Sequence, residues 1–456
     1  MTPARASQPS WWSMMHCPLI STIALGIVLV SGFSRDPCPP AKITACQTVR
    51  SSTMGRTLAW RTSERHRRAS TFGQLGTSHI ATERRRAGHD PLPRIDANQA
   101  YPTYRMIVMS GRIRTMRAYL GAATSETQGT PASGITVLDI DGPKFTVEDS
   151  VEAQDPRYLA LSPDGNVLYA VAERKDGQVC AWTVDGTRLV PLGRPQPTKG
   201  ASPCHLSVHP SGRFLLSACY RSGTVTVNPI HRDGSLGEPV HTMQHSGVGP
   251  NNERQEGPHA HMVITDPGKG AGRGHVIAVD LGTDTVYRYH FDETTGALQL
   301  ASELRTPPGA GPRHLVVQDR YAYVANELDS TVTVMGLDSG TALFTSSTRP
   351  AGARETSYPS AIRLAPNGRF LYVANRVVDE IAVFSVDGPE LKLVTNVPCG
   401  GEHPRDIALS PDGQYLYSAN QYDDTITTFR IDPVTGIPEP IGESFTTFSP
   451  TCLVFA

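Results

Sequence analysis

Fifteen residues, Gly247-Val248-Gly249-Pro250-Asn251-Asn252-Glu253-Arg254-Gln255-Glu256-Gly257-Pro258-His259-Ala260-His261, hold the densest run of reactive side chains in the chain. A connection this polar between strands is more often functional than a loop of average length. Side chains alternate along a strand, so His259 and His261 share one face; one imidazole can act on a bound molecule while the other orients it. Two simpler readings stand beside this one. The histidines can be bonded to neighbouring carbonyls, or they can be a zinc pair, for which the sequence identifies no third ligand. Downstream, Arg313-His314, Asn326-Glu327, Asn375-Arg376, Arg405-Asp406 and Asn420-Gln421 add cations, a carboxylate and amides. Guanidinium's planar fork suits carboxylate and phosphate, so arginines gathered with a glutamate and histidines make an anion pocket with its own acid and base. Other catalytic signatures are missing: there is no G-x-S-x-G, no Walker A sequence and no H-E-x-x-H. His241 and His245 have the i, i+4 spacing without the glutamate or the helix.

These residues need elements to bring them together, and an internal repeat supplies them. Asp155-Pro156-Arg157-Tyr158-Leu159-Ala160-Leu161-Ser162-Pro163-Asp164-Gly165 followed by Val167-Leu168-Tyr169-Ala170-Val171-Ala172-Glu173 returns in altered form at Pro203, Pro258, Pro312, Pro359, Pro404 and Pro450. The intervals are 47, 55, 54, 47, 45 and 46 residues. In each unit a proline opens an apolar strand, Pro-Asp-Gly or Pro-Asn-Gly turns it through a glycine at positive φ, and a second apolar strand runs back. Third runs such as Thr331-Val332-Thr333-Val334 continue the meander, and Asp-Gly or Thr-Gly turns lead to a fourth. Such four-stranded sheets cannot bury both faces alone, so seven of them pack around a channel as an all-β, seven-bladed β-propeller. The last proline has one strand after it. The seventh sheet must therefore borrow Arg117–Ala123 and Ile135–Ile140, and pairing of the N- and C-terminal strands, Phe455 beside Tyr119, closes the ring. Residues just after each proline and just after each Ala-Asn then lie on one rim. This brings Arg313, Asn326, Glu327, Arg376, Arg405 and Gln421 to a single pore mouth.

Composition agrees with a sheet protein. Glycine at 41, proline at 37 and 19% charged residues argue against a bundle or coiled coil. The net charge of −1 conceals two differently composed parts. Residues 1–117 hold 16 arginines and one lysine against five acids, whereas the rest holds 25 basic and 38 acidic side chains. Residues 1–112 read as a disordered, non-globular Arg-rich leader, or as sequence ahead of a later start at Met106, Met109 or Met116; residues 113–456 form the folded domain. The apolar run over 18–33 is signal-like but too short and interrupted for a stable membrane insertion. Arg65-His66-Arg67-Arg68 and Arg84-Arg85-Arg86 lack the interleaved aromatics of a nucleic-acid surface, so no nucleic-acid partner is expected. The eight cysteines form no C-x-x-C pair and suit buried thiols in a reducing compartment.

The chain over 117–456 resembles the seven-bladed propeller lactonases, a family that includes propeller-type 6-phosphogluconolactonases and carboxy-muconate lactonizing enzymes. The resemblance is carried by Gly249-Pro250-Asn251 with Arg254-Gln255, Pro258-His259-Ala260-His261, Gly311-Pro312-Arg313-His314, Ala325-Asn326-Glu327-Leu328, Asn375-Arg376, and Pro404-Arg405-Asp406 with Ala419-Asn420-Gln421. The second unit departs from the pattern, with Ser217-Ala218-Cys219-Tyr220 where its sisters have Ala-Asn and a polar residue. The resemblance implies hydrolysis of a phosphorylated sugar lactone, 6-phosphoglucono-1,5-lactone, in the oxidative pentose phosphate route, without cofactor or metal; a monomer in the cytoplasm is the expectation, or a secreted or periplasmic one if the apolar run over 18–33 is a real signal segment. It implies His261 or His259, Arg313 and Glu327 as catalytic groups. Arg254, Asn326, Arg376, Arg405 and Gln421 are the candidates for holding substrate. A muconolactone-type enzyme of the same fold and a non-catalytic binding scaffold are the rival readings.

Overall fold

The computed structural model describes residues 115–125, 127–268 and 274–456, and every regular element among them is a strand. The arginine clusters, the apolar run over 18–33 and the boundary at 112 lie outside the described residues. No helix among the described residues is long and apolar enough to cross a membrane.

Seven antiparallel sheets account for the described strands. Blade one begins at Leu159–Leu161, blade two at Pro203–Val208, blade three at Ala260–Thr265, blade four at Pro312–Gln318, blade five at Pro359–Leu364 and blade six at Pro404–Leu409. Blade seven joins Pro450–Phe455 to Met116–Ala122, Gly134–Asp141 and Lys144–Glu152. Each of these first strands touches the first strand of the next blade, and Pro450–Phe455 touches Leu159–Leu161, so the ring closes. The seam pairs Ala118 with Phe455 and Tyr119 with Val454, one residue from the expected Phe455–Tyr119 register.

The second strand of each blade is sandwiched between neighbouring sheets, and its composition reflects that. Val167–Ala172, Phe214–Cys219 and Phe370–Asn375 are buried at every position. Five of these strands carry a tyrosine at the same place, buried at 0–1% exposure, and in four of them its hydroxyl donates to a carbonyl of the following blade. The pairs are Tyr169 to Gly234 (2.9 Å), Tyr323 to Gly388 (2.6 Å), Tyr372 to Gly436 (2.9 Å) and Tyr417 to Gly142 (3.1 Å). Each ring contributes about 1.5–3 kcal/mol by burial, and its hydroxyl is satisfied rather than stranded.

The opposite rim is clasped differently. The residue before each blade's proline takes a positive φ in six blades: Asp155, Ser202, Gly311, Tyr358, His403 and Ser449. Its amide is caught by the preceding blade in five places, Asp155 by Thr124 (2.9 Å), Ser202 by the Arg174 carbonyl (2.8 Å), Gly311 by Asp284 (2.8 Å), His403 by Asp379 (2.7 Å) and Ser449 by Asp424 (2.9 Å), and in blade five the neighbouring Ser357 amide is caught by Ser330 (2.7 Å). Its carbonyl accepts from the residue just past the second strand. Those residues are Glu173, Tyr220, Glu327, Arg376, Gln421 and Ala123, with Leu281 bonded to His259 in blade three. The repeat thus creates one equivalent slot per blade on the same rim, and the side chain placed in each slot decides what the mouth contains.

Candidate active site

The slot of blade four carries Glu327, which is 3% exposed and is the organising charge of the mouth. Arg254, from the polar loop, reaches Glu327 Oε1 at 2.6 Å; Arg313 and Arg376 reach Oε2 at 3.0 and 2.6 Å. The Arg313 and Arg376 contacts are ionic approaches rather than aligned hydrogen bonds. Burial alone would raise this carboxyl's pKa, but Arg376, Arg254 and Arg313 overcome it and hold Glu327 well below the usual carboxylate range. Arg313 is anchored again through Nη1 to the Ser360 carbonyl at 2.7 Å. Burial and the neighbouring Arg376 and Arg405 push its pKa down to about 9, against the pull of Glu327.

His261 stands beside this clamp at the start of blade three. Cys204 Sγ donates to the His261 carbonyl at 3.4 Å, and Tyr220 meets the imidazole edge to face at 5.6 Å between ring centres. The imidazole is 6% exposed, and its Nδ1 has no hydrogen-bond partner among the described residues. Burial, reinforced by Arg313, holds its pKa well below 6.5, so the ring is neutral with a lone pair available. His259 is occupied: it stacks on Tyr220 at 4.4 Å, its Nδ1 meets the Tyr220 carbonyl at 2.9 Å, and its Nε2 lies 3.3 Å from Glu256. Its backbone amide is held by Asp280 (2.8 Å), which is bonded in turn to His245 (2.7 Å). Of the two histidines, His261 has the geometry of a base and His259 that of a wall.

Deeper in the channel His314 packs between His261 and His205, at 5.3 and 5.5 Å, with Tyr158 against His205 at 4.2 Å. Burial and the nearby arginines keep His314 and His205 neutral, the latter with its pKa pushed down to about 3. Arg363 closes this layer on Asp406 at 2.7 Å.

Strand alternation separates Asn326 from Glu327. Its amide donates to Thr331 and Thr333 at 2.8 Å within its own blade. Asn375 and Asn420 are likewise tied to Thr348, and to Thr425 and Thr427. Gln421 occupies its slot but gives its amide to Thr127 at the seam. Arg405 differs from the other arginines: half-buried, it makes no hydrogen bond or ion pair with the described residues, yet its charge acts on Arg313, Arg376, His261 and His403.

Sequence reasoning passed over Tyr220, Glu173, Tyr158, His205 and Arg363. The signal for Tyr220 and Glu173 was present, since both follow the second strand of their units; the Ala-Asn pattern hid the equivalence. The apolar cleft lined by Val171, Trp182, Pro191 and Leu192 contributes none of these side chains. Among the described residues no group of three or more His, Cys, Asp or Glu is arranged to hold a metal ion, and five cysteines are free thiols.

A closed ring of seven sheets with arginines, a locked carboxylate and a neutral imidazole at one mouth defines a propeller with a site for an anionic, electrophilic small molecule. The profile of the family described as "Lactonase, 7-bladed beta-propeller" matches residues 117–455, and the chain belongs to that family. It is 36% identical over 305 residues to a 6-phosphogluconolactonase of Bacillus subtilis, covering 64% of this chain and 84% of that one. Among solved structures it resembles a putative 6-phosphogluconolactonase of Bacteroides fragilis (29% identity, TM-score 0.68, 75% of this chain and 98% of that one). It also resembles the periplasmic gluconolactonase of Pseudomonas aeruginosa (30% identity, TM-score 0.69, 75% and 99%).

Proposed function

We propose that this chain hydrolyses 6-phosphoglucono-1,5-lactone to 6-phosphogluconate, the reaction by which its relatives are named and a step of the oxidative pentose phosphate route. The observation that carries the reading is the buried, neutral His261 imidazole, whose Nδ1 has no hydrogen-bond partner among the described residues, beside three arginines that share one ionised carboxylate. His261 takes a proton from water as the oxygen adds to the lactone carbonyl. Arg313, fixed by Glu327 and the Ser360 carbonyl, offers its guanidinium to the developing oxyanion. Glu327 is the positioning residue: fully ionised and fully used, it aligns Arg254, Arg313 and Arg376 and takes no part in proton transfer. The surplus of cationic charge suits a phosphate dianion, for which Arg405, without a partner among the described residues, and Arg254, one-third exposed, are the available forks.

The site is complete within one chain, and residues 113–456 as a monomer in the cytosol are the working unit, with free thiols that fit a reducing compartment. The test is hydrolysis of freshly made lactone, corrected for spontaneous opening, with unphosphorylated gluconolactone and a muconolactone in parallel. Arg405→Gln should raise KM for the phosphorylated substrate at least ~10-fold, the scale of one lost charged hydrogen bond, and leave the unphosphorylated lactone little changed. A higher kcat/KM on either unphosphorylated lactone replaces the substrate assignment. No catalysis on any of the three favours a binding scaffold.

A further inference from the structure

The proposed reaction needs a second proton transfer that the groups described so far leave open. When the tetrahedral adduct collapses, the ring oxygen departs as an alkoxide unless something protonates it. The side chain that stands without a task is Glu173. It fills the blade-one slot that Glu327 fills in blade four, with its amide bonded to the Asp155 carbonyl at 3.1 Å. Its Oε2 is shielded from solvent and has no hydrogen-bond partner among the described residues. The charged and titratable groups that act on it come from several blades: Arg157 and Asp155 from blade one, Arg405 from blade six, Arg313 from blade four, and the Cys204 thiol of blade two. The Cys204 thiol, on which the Glu173 charge acts, donates to the His261 carbonyl at 3.4 Å, so one thiol is common to the surroundings of both side chains.

Resting on the lactonase reading, we propose that Glu173 is the general acid that delivers a proton to the departing ring oxygen. Water loses a proton to His261 as its oxygen bonds to the carbonyl carbon. The C–O bond to the ring oxygen then breaks, its electron pair stays on that oxygen, and Glu173 protonates it. The product carboxylic acid and the imidazolium together hold two protons; one restores Glu173 and one leaves to solvent, so a turnover consumes one water and releases one proton. The environment supports the assignment. Burial raises the Glu173 pKa, while Arg157 and Arg405 pull it part of the way back. A substrate phosphate seated on Arg405 neutralises one of those two cations, so substrate binding itself favours the protonated acid. A carboxylate meant only to grip sugar hydroxyls would do better ionised, and burial works against that.

The test compares wild type, Glu173→Gln and Glu173→Asp on 6-phosphoglucono-1,5-lactone, with kcat and kcat/KM followed against pH. The wild-type alkaline limb should lie at higher pH in kcat, which reports the complex, than in kcat/KM, which reports the free enzyme. In E173Q kcat should fall about 10²-fold with KM within a factor of about three, and the Glu173 limb should vanish, leaving the fall near pH 9 set by Arg313. E173D should recover part of kcat. An unchanged kcat in E173Q, or a loss confined to KM, overturns the assignment while leaving the lactonase reading standing. Absence of hydrolysis by the wild-type protein overturns both.

Discussion

Replacing Glu327 by glutamine keeps the shape of the side chain and removes the one negative charge on which Arg254, Arg313 and Arg376 converge at 2.6, 3.0 and 2.6 Å. At an effective dielectric constant of about 20, charges about 4 Å apart interact by about 4 kcal/mol. Much of that attraction offsets desolvation in the native protein. What the variant exposes is the uncompensated remainder, about 3–5 kcal/mol for breaking a buried pair from one side. The pH dependence has a definite sign. The folded-state pKa of Glu327 is depressed below 4.5, so its stabilisation is fully present above that value and is lost as pH falls through the folded pKa. Urea unfolding of E327Q at pH 7 should therefore show a loss of about 3–5 kcal/mol. The gap to wild type should close as pH drops below 4.5. With Arg313 no longer aligned, kcat should fall at least ~10²-fold, the cost of an oxyanion donor. Equal urea midpoints at pH 7, or a gap that widens in acid, would refute the placement of an ionised, triply paired carboxylate at the mouth.

His261→Ala should lower kcat about 10²-fold or more, and because burial and Arg313 hold the imidazole neutral, the wild-type acid limb of kcat/KM should lie below pH 6.5, as a pH profile will show. Tyr220→Ala removes the ring stacked 4.4 Å from His259 and should raise KM several-fold through about 0.5–1.5 kcal/mol of lost stacking. Tyr220→Phe loses only the 3.3 Å contact to Arg254 and should stay within about two-fold of wild type by steady-state kinetics. Tyr372→Phe deletes the 2.9 Å bond to Gly436 on the opposite rim; urea titration should find about 1 kcal/mol of stability lost with kcat unchanged.

The ring was legible because its signals are local and repeated. Prolines at regular intervals, Pro-Asp-Gly turns and a lone terminal strand leave one closure, and Ala118 does pair with Phe455. The rim positions of Arg313, Glu327, Arg376 and Arg405 followed from strand direction. What did not follow is how the side chains are divided among partners. Three arginines share Glu327 and the fourth has no partner among the described residues, which depends on reach and rotamer across blades more than 50 residues apart in the chain, as for Arg254 and Glu327. Asn326 is tied within its own blade for a simpler reason. Next to Glu327 in sequence, it faces the other way in the strand and satisfies the hydroxyls of Thr331 and Thr333. Tyr220 escaped notice because its unit has cysteine where the sister units have asparagine, although slot position rather than motif spelling decides what reaches the mouth.

The two slot glutamates show why a repeated fold is a useful frame for a hydrolytic site. Glu327 and Glu173 occupy the same register position, each with its amide bonded to the carbonyl of the residue just before its unit's proline, Gly311 and Asp155. Both are desolvated, and desolvation acts on both in the same direction, toward the protonated form. In blade four, three arginines in direct contact reverse that effect. In blade one, Arg157 and Arg405 act without closing a contact on the free Oε2, and the upward shift survives. One backbone position thus yields an ionised clamp in one blade and a proton donor in another, distinguished by what the neighbouring slots present. Adding an arginine within reach of Glu173 should therefore suppress catalysis more than it disturbs folding, because it would turn the second carboxyl into a copy of the first.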